Sequence, residues 1–171
     1  MSWGCFVSFS LELTADQWKE LAKRTPDSVG EASDWAKWPS PDMVWYFTPQ
    51  EYNEAPFGKI LVKDVWADEE LESAGLSMKK SKGLVAIEVF AVVDRAADQI
   101  HEVGCLARAL VAAHRLGGKG SLIIASDGTA PENGFRCTVV KDALVTKALK
   151  SKEAETLRKE FSTRIGLEEE D

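Results

Sequence analysis

Residues 84–93, LVAIEVFAVV, form the longest apolar run in the chain, and Glu88 is its one charged position. Both alternating sets of positions are apolar apart from Glu88, which is typical of a strand covered on both sides. The run has about half the length that a membrane span requires. We therefore expect it to form the central strand of a sheet.

An amphipathic strand and a helix are predicted near the start of the chain. Residues 5–13, CFVSFSLEL, alternate strictly between apolar and mostly polar positions, which predicts a half-buried strand. Thr14, with Gln17 three residues later, is a capping-box signature, so a helix is expected from there to about Arg24. Pro26 then ends it.

Further elements follow the central strand. Asp94 is the expected N-cap of a helix over roughly 95–116, which Gly117 and Gly118 end. Strands are predicted at 121–126 and 135–140, and a last helix carries Ala154, Leu157, Phe161 and Ile165 on one face. Earlier in the chain, strands are expected at 43–48 and 58–66.

The order of these elements predicts the fold class. Strand, helix, strand, strand occurs twice and is followed by a helix. This order favours an α+β fold with a mostly antiparallel sheet, helices packed on one face and a C-terminal helix. We expect a single domain over 1–167. Its halves, 1–66 and 84–141, are candidates for a structural duplication, with a linker at 67–83 and an acidic tail at 168–171.

Charge is distributed unevenly along this acidic chain. The net charge of -7 divides into -8 over residues 1–72, +5 over 73–167 and -4 over 168–171. An overall negative field disfavours nucleic-acid binding. The first twenty residues lack the basic and unbroken apolar segments of a signal peptide, so a cytoplasmic location without membrane attachment is expected.

Large aromatic residues share the acidic part of the chain, because all six tryptophans lie within the first 66 residues. Aromatic anchors surrounded by complementary charge are typical of protein interfaces. The predicted partner-binding residues are Trp35, Trp38, Trp45, Tyr52, Glu31, Asp34, Asp42, Glu51, Glu54, Asp68, Glu69 and Glu70.

The leading interpretation is an acidic protein-binding module that neutralises a basic protein partner. It resembles, in character only, bacterial immunity proteins that inhibit nuclease-like toxins, since no residue motif carries the resemblance. A toxin domain would then be the partner.

The alternative is a small-molecule-binding domain. Glu88 is an isolated carboxylate on an apolar strand, where it needs a basic group, water or a ligand. In this hypothesis an apolar, Trp-lined cavity surrounds Glu88, and Ser8, Ser10 and Tyr46 also line it. An enclosed pocket at Glu88 would favour the ligand, and an open acidic face would favour the partner.

The sequence predicts no catalytic residues, metal or cofactor. Residues 115–120, RLGGKG, fit the RxxGxG pattern by which GNAT acetyltransferases hold coenzyme A, but they follow a helix and precede a strand, which favours a helix cap. His101 and Cys105 have helical i, i+4 spacing without a third ligand. Cys5, Cys105 and Cys137 are expected to be buried thiols. An enzyme, the third option, would need polar groups converging around Glu88, Asp94, His101 or Asp127.

Overall fold

A computed structural model describes residues 4–30, 36–37, 55–62, 74–94, 101–126 and 133–164. The strands in these ranges are β1 (Gly4–Thr14), β2 (Ala36–Lys37), β3 (Ala74–Ser81), β4 (Leu84–Asp94), β5 (Lys119–Ser126), β6 (Gly134–Val140) and β7 (Ala143–Ala148). The helices are α1 (Ala15–Lys23), α2 (Phe57–Ile60), α3 (His101–Arg115) and α4 (Ser151–Arg164), with a 3-10 helix at Pro26–Val29. No helix in these ranges is long and apolar enough to span a membrane.

The strands form one sheet in the order β2-β7-β6-β5-β1-β4-β3. Strand β1 lies inside the sheet and pairs antiparallel with β4 on one side and β5 on the other. The other pairs are antiparallel too, except that the two-residue β2 lies parallel to β7 at the sheet edge. β3 and β2 therefore mark opposite edges.

One face of the sheet carries the main core. Alternate residues of β1 and β4, such as Phe9 and Ile87, are fully buried there, together with Leu122 of β5. Helices α1, α2 and α3 contribute Leu21, Phe57 and Leu110 to the same cluster. Because every residue of α3 from 104 to 113 is buried, it is the central helix of this layer.

Helix α4 covers part of the opposite face. Its Ala154 and Phe161 are buried against Phe6 of β1 and Ala125 of β5. The α+β class, the largely antiparallel sheet and the C-terminal helix are therefore confirmed, and α4 adds a helix on the second face. Phe6 and Ala125 lie on the face of the sheet opposite the main core, so the apolar side of α4 packs on that second face.

The predicted start of α1 and the predicted end of α3 are confirmed, whereas the N-cap predicted at Asp94 stays a prediction because 95–100 lie outside the described residues. Thr14 Oγ1 accepts a hydrogen bond from the Gln17 backbone N–H at 3.2 Å, and Gln17 Oε1 accepts one from the Thr14 backbone N–H at 2.9 Å. Both bonds satisfy donors that a helix start leaves unpaired. At the other helix, the Gly118 N–H donates to the Ala113 carbonyl, and Gly117 has a φ of 94°. Residues 115–120 thus end α3 and begin β5.

Two expected elements are wrong where the structure describes them. The strand expected at 58–66 begins instead in helix α2, where Phe57, Ile60 and Leu61 are buried beside α1. The linker expected at 67–83 contains strand β3, which forms a hairpin with β4 through Lys82 and Gly83. The sequence pattern does not predict β3 because most of its residues are small or polar, and an edge strand with an exposed face needs few apolar side chains. The strand expected at 43–48 and the segment 95–100 lie outside the described residues.

Candidate functional site

The candidate site lies on the face of the sheet opposite the main core, and among the described residues α4 covers one end of this face. Most side chains on the rest of this face are small or polar, because the polar positions of β1 lie opposite small or polar positions of β4 and β5. Ser10 lies opposite Glu88 on β4 and opposite Ser121 on β5. The hydroxyl oxygens of Ser10 and Ser121 are 3.2 Å apart and share a hydrogen bond.

An open groove of about 470 Å³ lies on this face. Its lining residues come from β1, β4 and β5: Ser10, Leu11, Glu12, Ala86, Ile87, Glu88, Lys119, Gly120 and Ser121. The backbones of β1 and β5 approach closely here, because a Cβ on Gly120 would lie 2.1 Å from the Ser10 carbonyl oxygen. On the groove face, the small side chains of Ser10, Ala86 and Ser121 on the three adjacent strands leave the groove its depth.

Charged side chains of both signs line the groove. Lys119 Nζ lies 3.6 Å from Glu12 Oε1, and both side chains are more than half exposed. Such a pair contributes little to stability, since water screens it. Glu88 is also exposed. The groove therefore offers hydroxyl, carboxylate and ammonium groups, an arrangement that suits a polar ligand or a polar protein segment better than an apolar molecule.

The structure brings together two of the four residues predicted for a ligand cavity. Ser10 and Glu88 both line the groove. Ser8 precedes Ser10 by two residues on β1, is half-buried and lies opposite Phe90 of β4. Tyr46 lies outside the described residues. The groove is open and carries Glu12 and Lys119, which differs from the enclosed apolar cavity expected around Glu88. Whether tryptophans line it stays a prediction, because Trp35, Trp38, Trp45 and Trp66 are not among the described residues.

Sequence reasoning missed the β5 side of the groove. The sequence predicts only a helix cap and the start of a strand at Lys119, Gly120 and Ser121, and no local pattern indicates that β5 pairs with β1. The polar positions of β1, Ser8, Ser10 and Glu12, were a partial signal for an accessible face.

All twelve predicted partner-binding residues lie outside the described residues. They occur in sequence between Gly30 and Ala74, interrupted by β2 and α2. Strand β2 stands directly between Trp35 and Trp38 in sequence and pairs with β7. Their contribution to an interface stays a prediction.

The described thiols are structural. Cys105 and Cys137 are buried thiols, as expected, and desolvation raises the pKa of the Cys137 thiol to about 12. A thiol in this environment is a poor nucleophile, because the thiolate is the reactive form. The described ranges contain no group of three or more metal-ligating side chains. The Cys5 side chain and those of Asp94, His101 and Asp127 cannot be assigned to a site, since none of these side chains is among those described.

Comparison with known proteins gives no further identification: no family model, curated protein or solved structure matches this chain.

Proposed function

We propose that this chain is a binding protein that recognises a basic protein partner through the acidic and aromatic residues between Gly30 and Ala74. The observation that carries the proposal is the charge of -8 over residues 1–72, in the part of the chain that also holds all six tryptophans. Charge of one sign accelerates encounter with an oppositely charged protein, and buried tryptophans supply much of the binding energy at interfaces.

The described framework supports this proposal by the way it anchors these segments. Val29, two residues before the first predicted partner-binding residue Glu31, is 5% exposed. Phe57 in α2, which follows Glu54 in sequence, is fully buried. The Phe57 N–H donates to the Arg24 carbonyl at 2.7 Å, which ties α2 to the end of α1. Since β2 and β3 lie at opposite edges of the sheet, the acidic segments are attached at both edges and, through α2, to the helical layer. Firm attachment reduces the entropy lost on binding.

Affinity capture from the native host at low and high salt tests the proposal first. We expect a stoichiometric protein of high pI whose retention weakens as salt rises, because salt screens exposed charges. A toxin domain is the specific form of partner that we propose. Recovery of no basic protein at low salt would contradict the proposal.

A charge-reversal pair then locates the interface. Glu51→Lys with Glu54→Lys should slow association with the captured partner about tenfold, because complementary charge steers encounter. Glu155→Lys with Glu160→Lys is the matched control, since it changes charge equally on exposed positions of α4. Stopped-flow or biosensor association rates measure both. Equal slowing by the two variants would indicate unspecific attraction and would argue against this segment.

We propose as the second candidate that the groove between β1, β4 and β5 binds a small polar ligand. The specific support is the juxtaposition of Ser10, Glu88 and Ser121, which offers hydroxyl and carboxylate groups to one molecule. A metabolite library screened by thermal shift tests this candidate. Any stabilising compound should lose its effect in Ser10→Ala and Glu88→Gln, and should keep it in Ser77→Ala, an exposed neighbour on β3.

A further inference from the structure

The groove between β1, β4 and β5 carries charges of opposite sign on its two sides. On the β4 side, the exposed Glu88 lies beside Ser10 of β1. On the β5 side, Lys119 lies beside Glu12 of β1. Glu12 follows Ser10 by two residues and so lies on the same face of β1. The carboxylate on β4 and the ammonium group on β5 therefore lie diagonally across β1.

The Lys119 side chain reaches over the groove toward β1. Its Nζ comes to 3.6 Å from Glu12 Oε1. The backbones of β4 and β5 are about 10 Å apart, since each borders β1 at the usual strand spacing. The reach of the lysine makes the gap between the opposite charges shorter than this. The groove volume of about 470 Å³ lies in the range of small-molecule sites.

Two hydroxyl groups lie between the charged side chains. Ser10 Oγ and Ser121 Oγ share a hydrogen bond at 3.2 Å, which uses one of their two hydroxyl protons. If Ser10 donates to Ser121, the Ser121 hydroxyl can donate to a ligand, and the Ser10 oxygen can accept from one. This direction makes the hydroxyl pair a chain that accepts on the Glu88 side and donates on the Lys119 side.

The ion pair between Lys119 and Glu12 is weak enough to exchange. Its length of 3.6 Å exceeds the roughly 2.7–2.9 Å of a charge-assisted hydrogen bond, and the two side chains are 78% and 53% exposed. A ligand carboxylate can therefore attract Lys119. A purely anionic ligand would face the Glu12 and Glu88 carboxylates, and a purely cationic ligand would face Lys119. A ligand with one charge of each sign matches both sides.

We propose that the groove binds a small zwitterion of the amino-acid class, either a free α-amino acid or a dipeptide. The ligand ammonium group donates to Glu88 and to the Ser10 hydroxyl oxygen, and the ligand carboxylate accepts from Lys119 Nζ and the Ser121 hydroxyl. This inference rests on the second candidate function, ligand binding in the groove, and adds the chemical class of the ligand.

Thermal shift with the twenty free amino acids and a set of dipeptides tests the class on the full chain. Each compound that stabilises the wild type is then compared by calorimetry with two of its derivatives. The N-acetyl derivative lacks the ammonium charge, and the amide lacks the carboxylate charge. Each derivative should bind at least about tenfold more weakly, because it loses a hydrogen bond between charged groups.

The two groove carboxylates should respond in opposite directions. Glu88→Gln should weaken binding of the zwitterion about tenfold and leave the N-acetyl derivative unchanged. Glu12→Gln should strengthen it about threefold, because Lys119 is released from its ion pair. Glu155→Gln is the matched control for both: this exposed glutamate of α4 also lies 3.6 Å from a lysine, and its loss should change neither affinity.

The lysine is tested in the same way. Lys119→Gln should weaken binding of the zwitterion about tenfold and leave its amide unchanged, because only the zwitterion offers a carboxylate. Lys147→Gln, at an exposed position of β7, is the matched control and should leave both affinities as in the wild type.

A wild type that binds none of these zwitterions would overturn the inference. So would Glu88→Gln and Glu12→Gln variants that shift the affinity in the same direction. A neutral or singly charged metabolite whose binding depends on Ser10 would overturn the amino-acid class but leave ligand binding in the groove standing. Absence of any ligand across the metabolite library would overturn both.

Discussion

The aromatic rings of Phe6 and Phe161 are stacked, with centroids 5.2 Å apart and planes inclined by 11°. The contact joins strand β1 to helix α4 on the face away from the main core. It holds α4 on the face that also carries the groove with Ser10, Glu88 and Ser121, beyond the part of the face that α4 covers. One aromatic pair thus connects the packing of α4 to the face that carries the candidate site.

Phe161→Ala should lower the free energy of unfolding by about 3–5 kcal/mol, the usual range for truncating a buried phenylalanine. Phe161 is 3% exposed, and its loss also removes the stacking on Phe6. Urea denaturation followed by circular dichroism measures the change. Phe161→Leu, which keeps most of the apolar volume, should cost clearly less, and equal losses in both variants would contradict this account of α4.

Gly120→Ala should destabilise the protein by about 1–3 kcal/mol or more, because overpacking forces backbone atoms apart. Its Cβ would lie 2.1 Å from the Ser10 carbonyl oxygen, between two paired strands. Gly83→Ala is the control: with a φ of +76° it has no atom within 4 Å of the new Cβ, so only backbone strain of about 1–2 kcal/mol applies. Thermal unfolding should rank Gly120→Ala as the less stable variant.

Stability should fall with rising alkalinity more steeply in the wild type than in Cys137→Ala. Burial raises the pKa of the Cys137 thiol from 9.0 to about 12, so the folded state retains a proton that the unfolded state releases above pH 9. This contribution is present below pH 9 and is lost as the pH rises toward 12, by at most about 1.4 kcal/mol per pH unit.

Denaturant titrations at pH 8, 9, 10 and 11 measure the difference in slope between these two proteins. Lysines and tyrosines titrate in both, so their contribution cancels in the comparison. Parallel slopes would mean that the Cys137 thiol reaches water in the folded protein.

Thr146→Val should raise the free energy of unfolding by about 1 kcal/mol. Thr146 is 7% exposed, and its Oγ1 is buried without a hydrogen-bond partner among the described residues. Replacing an unsatisfied hydroxyl by a methyl group of the same shape removes its desolvation cost. Thr138→Val, at an exposed position of β6, should change stability by less than about 0.5 kcal/mol. A destabilised Thr146→Val would indicate that the hydroxyl has a partner.

Local patterns predicted the elements that carry their own signals. The strict alternation of residues 5–13 predicted β1, and the capping box at Thr14 predicted the start of α1. The apolar run at 84–93 predicted a strand, β4, but the expected central position covered on both sides was wrong, because β4 lies next to the edge strand β3 and exposes Leu84, Ala86 and Glu88. Strand β3 escaped prediction because its polar residues belong to an edge, and α2 was mistaken for a strand because a four-residue helix has too few turns to show a period.

By itself, the sequence determined the fold class, the main core positions and the uneven distribution of charge, since each follows from residue type and local spacing. Only the tertiary structure decided that β1 lies between β4 and β5, that α4 covers the second face and that Ser10 meets both Glu88 and Ser121. The physical reason is that strand pairing joins residues distant in sequence, and many pairings satisfy the same alternation of apolar and polar side chains. The groove exists only once that pairing is chosen.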